Sequence, residues 1–281
     1  MQVDVAKPAT SLHQQAVNDY FRSNSRYWRD IYFEESLDCE LYRERRKAVL
    51  TIVDRLGLPA GAQVLEVGCG AGLTTVELAK RSYAVTAVDA VEDMLRLTRD
   101  AVAKAGVDGR VETGIEDVQR LSFPSNSFDL IVAMGIVPWL APPQPAISEM
   151  ARVTRQGGYV IATVDNFWCL IHLLDPRCFQ PMRPFRHKVA DMLARLSLRA
   201  RTGVRFRRYT RKEMDGLLAQ AGVEKLEGVT LGFGPFTFMG RNIFPDSIGI
   251  TVHRKLQKLA SAGFPGLQST GIEYVVVGRK S

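Results

Sequence analysis

The stretch Val64-Leu65-Glu66-Val67-Gly68-Cys69-Gly70-Ala71-Gly72 sets three alternate glycines where a short apolar run hands over to a helical pattern. Glycine lets a chain turn with positive φ and brings bare backbone against a ligand. The helix that follows aims its first amides at the same place. A dinucleotide fold also uses a glycine-rich loop, but with G-x-G-x-x-G spacing; here the spacing is G-x-G-x-G. Glu66 lies inside the run, an acid suited to hold a ligand's amino group through its surroundings and poorly suited to a pyrophosphate. Asp89 ends a second apolar run, Val85-Thr86-Ala87-Val88-Asp89, about twenty residues beyond the loop. A carboxylate there can accept hydrogen bonds from both hydroxyls of a ribose. The plainer reading is a structural turn and a helix-capping aspartate.

The elements that must position these groups follow from hydrophobic period. Leu12 to Leu56 reads as helical with a break near Ser36–Asp38, stopped by Gly57. Beyond it the period changes. Strands are expected at Gln63–Val67, Ala84–Val88, Arg110–Thr113, Phe128–Ala133 and Tyr159–Val164, the last after a Gly157–Gly158 turn. Helices are expected at Leu73–Arg81, Met94–Ala105 and Pro145–Val153. This alternation implies an α/β fold, with a mostly parallel sheet covered on both faces. Farther on, a basic amphipathic helix is expected around His187–Arg199, a second near Ile250–Ala260, and strands at Val223–Leu231 and Gly271–Val277. A helix from Thr210 to Ala221 carries a capping box, with Glu213 three residues after Thr210 and Gly222 as its stop.

Composition narrows the class. In 281 residues, 46% are hydrophobic and 24% charged, which suits a globular protein with ample core. There is no apolar run long enough for a spanning helix, and Met1–Thr10 has no signal-like apolar stretch, so a cytoplasmic location is expected. The cysteines Cys39, Cys69, Cys169 and Cys178 form no CxxC pair, which argues against a disulfide framework or a zinc site; no metal constellation is visible. The net charge of +7 is local: residues 177–212 hold twelve Lys or Arg against Asp191 alone, so that segment carries +11. Such a segment invites an anionic membrane surface, a phosphate-bearing substrate or nucleic acid.

Val64–Gly72, Asp89, the strand Phe128-Asp129-Leu130-Ile131-Val132 and the turn Arg152-Val153-Thr154-Arg155-Gln156-Gly157-Gly158 together resemble the class I S-adenosylmethionine (SAM)-dependent methyltransferases, in the branch of quinone-biosynthesis and small-molecule enzymes. The resemblance covers Leu41 to Asn166 well and Tyr209–Leu231 and Gly271–Lys280 more loosely. It implies a Rossmann-like, seven-stranded sheet with an N-terminal helical lid (residues 1–58) before a SAM-binding domain (59–281). A helical insertion after the fifth strand, at about 166–208, and another insertion at 232–268 would shape the acceptor site. It implies that Glu66, Gly68, Cys69, Gly70 and Gly72 surround the methionine part of the cofactor, that Asp89 holds the ribose, and that Ala90 and Met94 flank the adenine. Ile115 stands where the family commonly has an acid for the adenine amino group, so Glu116 or Asp117 would take that part or remain loop acids. Met134 and Gly135 should lie along the methionine and ribose edge.

The chemistry so implied is in-line methyl transfer from SAM, leaving S-adenosylhomocysteine (SAH), and it needs a base only if the acceptor must lose a proton. His172, beside Asp165 and Asn166 on the acceptor side, is the candidate base; a packing histidine is the alternative. Tyr27, Trp28 and Tyr32 are candidates for a lid, with a core role as the alternative, and Trp139 and Asn166 for the acceptor site, as is the loop Gly232–Phe236. The apolar Ile136-Val137-Pro138-Trp139, in place of a base-binding motif, favours a hydrophobic small molecule over nucleic acid. An oxygen of a phenolic, quinone-like, polyketide or lipid-linked acceptor is expected, with peripheral contact to anionic membrane through the basic helices at His187–Arg199 and His253–Lys258. An RNA or protein methyltransferase using residues 177–212, and a non-catalytic SAM-binding scaffold, are the alternatives. Oligomeric state is left open.

Overall fold

In a computed structural model of the chain, residues 12–171, 175, 204 and 206–281 are described. His172, Cys178 and the basic stretch around His187–Arg199, and with them most of the expected helical insertion, lie outside the described residues.

The helical stretch before the first strand divides into α1 (Leu12–Ser23), α2 (Ser25–Asp30) and α3 (Leu37–Leu56). Ser36 makes the last division: its side chain accepts the Cys39 N–H at 3.2 Å and caps α3. Gly57 ends α3 in the left-handed conformation. Then β1 (Gln63–Val67), α4 (Leu73–Lys80), β2 (Ala84–Asp89), α5 (Glu92–Ala105), β3 (Val111–Ile115), β4 (Phe128–Ala133), α6 (Gln144–Val153) and β5 (Thr154–Asp165) alternate. They are followed by α7 (Arg211–Gln220), β6 (Val223–Leu231), a two-strand ribbon of β7 (Thr237–Phe238) and β8 (Arg241–Asn242), α8 (Asp246–Ser261) and β9 (Glu273–Lys280). The capping box of α7 is present as expected, Thr210 and Glu213 bonding each other's backbone amides.

Seven strands form one sheet in the order β3-β2-β1-β4-β5-β9-β6. Neighbours from β3 to β5 are parallel, and β9 runs antiparallel between β5 and β6. Because strand residues alternate in facing, Val64, Val85 and Leu130 pack with Val49 and Val53 of α3, Leu78 of α4 and Leu95 of α5. Their neighbours Leu65, Val67 and Ile131 pack instead with Ile147 and Met150 of α6 and Met214 and Leu218 of α7. Each such side chain stabilises the fold by roughly 1.5–3 kcal/mol on burial.

Three details differ from expectation. The Gly157–Gly158 turn does not precede the fifth strand but interrupts it: Phe128 pairs with Thr154 and Leu130 with Tyr159, so residues 155–158 bulge from β5. A Cβ on Gly158 would lie 3.0 Å from the Asp129 carbonyl oxygen, which fixes glycine there. Gly232–Phe236 does not reach the cavity described below; Phe233 and Phe236 are buried against Leu37 and Leu41 of α3 and Ala260 of α8. His253, expected on a basic outer face, is buried in α8, where its Nδ1 accepts the Phe233 N–H at 3.1 Å.

Candidate active site

The chain order along the sheet reverses at β1, flanked by β2 on one side and β4 on the other. In open α/β sheets the crevice beyond the strand C-termini at such a point is where ligands bind. A cavity of about 220 Å³ opens there.

Its floor is the glycine loop. Gly68 has φ +70°, and a Cβ on it would lie 2.1 Å from Cγ2 of Ile136, so only glycine fits. Gly70 has φ +57°, lines the cavity, and has nothing within 4 Å of where its Cβ would stand. Bare backbone therefore faces open space. Gly72 lines no part of the cavity: a Cβ there would come 2.7 Å from Cα of Thr98, so this glycine serves the close packing of α4 on α5.

Asp89 secures the loop. One carboxylate oxygen accepts the Gly70 N–H at 3.0 Å and the other accepts the Val91 N–H at 2.9 Å. Burial raises its pKa, and the backbone bonds pull it the other way. Glu66 is buried at the end of β1, where Thr75 Oγ1 donates to its Oε2 at 2.5 Å; burial still pushes its carboxyl up to about 8. Cys69 lines the cavity with its Sγ 3.4 Å from Thr98 Oγ1, and burial holds its thiol well above its ordinary pKa.

Around this floor the cavity is lined by Ala90 and Met94, by Glu116 and Asp117, and by Met134 and Gly135. Both acids make local bonds: Glu116 accepts from Ser122, and Asp117 accepts the Gln119 N–H at 2.9 Å. The Ile115 side chain turns away and is 48% exposed, because its place in β3 points it off the cleft.

The far end of the cavity is aromatic. Trp139 stacks on Tyr20 at 5.3 Å and meets Phe21 and Phe206 edge-on, tying α1 and residue 206 to the turn after β4. Trp28 and Tyr32 line the cavity, whereas Tyr27 stands behind Trp28, ring edge to face at 5.3 Å. Asn166 is not on the lining either. Its amide is buried and donates to the carbonyls of Ser269 and Gly271 at 2.9 and 2.8 Å, clamping the chain before β9.

Tyr42, Arg45, Asp165 and Glu273 are among the lining residues that the sequence did not mark as site candidates. Arg45 of α3 donates through Nη1 to Glu273 Oε1 at 3.0 Å, and its guanidinium lies over the Tyr42 ring. Both charged side chains are about nine-tenths buried. Asp165 ends β5 directly across the ladder from Glu273, the first residue of β9. Burial, and then the neighbouring Glu273, hold its carboxyl far above the usual range, against the pull of Arg45 and Arg208. Asp165, an acid at the end of an apolar strand one residue before Asn166, was a signal in the sequence. Arg45 and Glu273 gave none.

The family profile described as "Methyltransferase domain" matches residues 65–162, which span β1 to β5 and the whole glycine–Asp89 floor. The chain carries a class I SAM-dependent methyltransferase domain. The methyltransferase domain is similar to a phosphatidylethanolamine N-methyltransferase from Cereibacter sphaeroides, 41% identical over 107 residues, covering 38% of this chain and 52% of that protein. It is also similar to a ubiquinone biosynthesis O-methyltransferase from Xanthomonas axonopodis pv. citri (strain 306), 30% identical over 109 residues, covering 38% and 45%. The chain thus spans about half the length of these curated relatives. In fold it resembles the [4+2]-cyclase SpnF, with a TM-score of 0.62 at 18% identity over 97% of each chain. A cyclase on this fold shows that architecture alone does not select the reaction.

The residues present fit the methyltransferase family's cofactor. Gly70 offers a cradle that any Cβ would fill, Asp89 offers a carboxylate beside it, and the cavity continues past both. Among the described residues no group of His, Cys, Asp and Glu is arranged to hold a metal, and no helix is long and apolar enough to cross a membrane.

Proposed function

We propose that the protein methylates an oxygen atom of a hydrophobic small molecule, phenolic, quinone-like, polyketide or lipid-linked in class, using SAM. The observation that carries this reading is the two-ended cavity. One end is the glycine and Asp89 floor, and the other is walled by Trp28, Tyr32, Tyr42, Trp139 and Phe206. SAM supplies an electrophilic methyl group on a sulfonium, whose departure needs no acid. The chain's task is then to hold the acceptor in line and to keep water out. Asp89 fixes the Gly70 backbone and keeps its carboxylate beside the ribose position, with Glu66 buried beneath. Ala90 and Met94 flank the adenine, with Glu116 or Asp117 toward its edge. Trp28 and Tyr32 close the acceptor end. The apolar lining suits a flat or greasy acceptor, and the similarity to a ubiquinone biosynthesis O-methyltransferase supports an oxygen nucleophile.

A second reading, nitrogen methylation on a phospholipid headgroup, draws on the 41% identity to a phosphatidylethanolamine N-methyltransferase. Calorimetry with SAM and SAH, followed by transfer of labelled methyl to catechol, to a short-chain quinol and to phosphatidylethanolamine vesicles, separates the two. Micromolar cofactor binding with label on the phenol or quinol supports the first reading. Label only on the vesicles supports the second, and failure to bind either cofactor form removes both.

A further inference from the structure

We propose that Asp165 is the proton acceptor of the reaction, taking the hydroxyl proton of the acceptor, with Arg45 and Glu273 as the residues that position it. This rests on the reading of the protein as an O-methyltransferase, and it assigns the base to the sheet instead of to a histidine. Three observations converge. Asp165 and Glu273 are cross-strand partners at the same end of β5 and β9, and both line the cavity. Arg45 is committed to one oxygen of Glu273, while Glu273 Oε2 is buried and has no hydrogen-bond partner among the described residues. A buried acceptor left without a donor costs on the order of 1–3 kcal/mol. A second polar hydrogen of the acceptor, such as the neighbouring hydroxyl of a catechol, can supply the missing donor to Glu273, which leaves the reacting hydroxyl to face Asp165 across the same rung of the ladder.

The electrostatics around Asp165 suit the task. Glu273 faces it from β9, Arg45 from α3, and Arg208 from the segment before α7; Tyr42 stands beside Arg45 and is itself raised by burial. Burial first, and then the Glu273 carboxylate, outweigh the pull of Arg45 and Arg208 and make Asp165 a stronger base than an ordinary aspartate. As the new C–O bond forms from an oxygen electron pair, the O–H bond breaks and its proton passes to the Asp165 carboxylate. The carbon–sulfur pair leaves with sulfur. One sulfonium and one carboxylate become one thioether and one carboxylic acid, so charge and atoms balance.

The test compares wild type with Asp165→Asn, Asp165→Glu and Glu273→Gln. Release of SAH is measured from labelled SAM with catechol and 4-hexylresorcinol between pH 6 and 9.5. SAH affinity by calorimetry, and quenching of tryptophan fluorescence by 4-hexylresorcinol, are read on the same preparations. The expected result for Asp165→Asn is a fall in kcat of about 100-fold or more and loss of the rise of rate with pH. SAH affinity should stay within threefold, phenol quenching should persist, and Asp165→Glu should restore part of the rate. Glu273→Gln should shift the pH midpoint without abolishing turnover. An Asp165→Asn enzyme with the wild-type rate and pH profile overturns the proposal, as does a wild type that binds SAH yet methylates neither phenol. A wild type that fails to bind SAH instead overturns the methyltransferase reading beneath it.

Discussion

Arg45 stands in the space that a side chain on Gly135 would require: a Cβ there would come within 3.1 Å of Nη1, the nitrogen that holds Glu273. Gly135 also has φ +74°, and its N–H donates to Thr163 Oγ1 at 2.8 Å. The glycine therefore links the turn after β4 to the Arg45–Glu273 ion pair on the cavity wall. Gly135→Ala should crowd the guanidinium at Glu273 and strain the backbone, costing roughly 1–3 kcal/mol of stability. Turnover should fall more than SAH affinity, as read by urea denaturation, calorimetry and methyl transfer on one preparation.

Breaking the ion pair from one side is costlier than removing it. Arg45→Met leaves the Glu273 carboxylate buried and unpaired and should destabilise the protein by roughly 3–5 kcal/mol. The double variant Arg45→Met, Glu273→Leu replaces the pair by apolar volume and should recover most of that loss. Urea midpoints of the two variants decide it. Equal losses would mean that the stranded Glu273 charge is not what destabilises the single variant.

Asp89 holds two backbone amides as well as facing the cavity. Asp89→Ala leaves the Gly70 and Val91 N–H groups without their acceptor, so the loop should loosen and SAH binding should weaken by roughly 2–4 kcal/mol, about 30- to 1,000-fold. Asp89→Asn keeps one acceptor oxygen and should lose less. Calorimetric titration of SAH into each variant orders them.

Glu66 makes stability depend on pH in a definite direction. Burial raises its folded pKa from an ordinary 4.5 to about 8. Between those values the unfolded chain has released the proton that the folded chain still holds. The protonated fold is therefore favoured below pH 4.5, and that advantage drains away as pH rises to about 8. Glu66→Gln keeps the hydrogen-bonding shape without the charge. Its melting temperature relative to wild type should climb across that window and level off above it, measured without cofactor. A flat difference from pH 5 to 9 would contradict the assignment.

Much of the glycine–Asp89 floor of the cavity could be read from the chain itself, because its groups lie close in sequence. Gly68, Gly70 and Asp89 are joined by one strand–helix–strand unit, and short-range spacing encodes it. The limits are instructive. Gly72 has the same spacing signal as Gly70, yet it meets Thr98 instead of the cavity, a distinction that depends on how α5 packs. Ile115 follows the family's register, but the facing of β3 sends it outward. Arg45, Asp165 and Glu273 come from α3, β5 and β9, and no local pattern relates positions so far apart. Their meeting depends on β9 entering the sheet beside β5, and β6 and β9 alone do not announce which of them will be the inner strand. Asn166, a plausible polar contact in sequence, instead bonds two carbonyls that fix the entry to β9.

That strand order also has a meaning for synthesis. β9 is the last element of the sheet to be made and yet lies between two earlier strands, so β5 keeps an open edge until residues 273–280 arrive. The glycine–Asp89 floor uses only residues made before β9, whereas the wall bearing Glu273 needs β9 itself. A nascent or C-terminally nicked protein should therefore be a cofactor binder with an unfinished acceptor side, and with an unpaired strand edge that invites association with other chains.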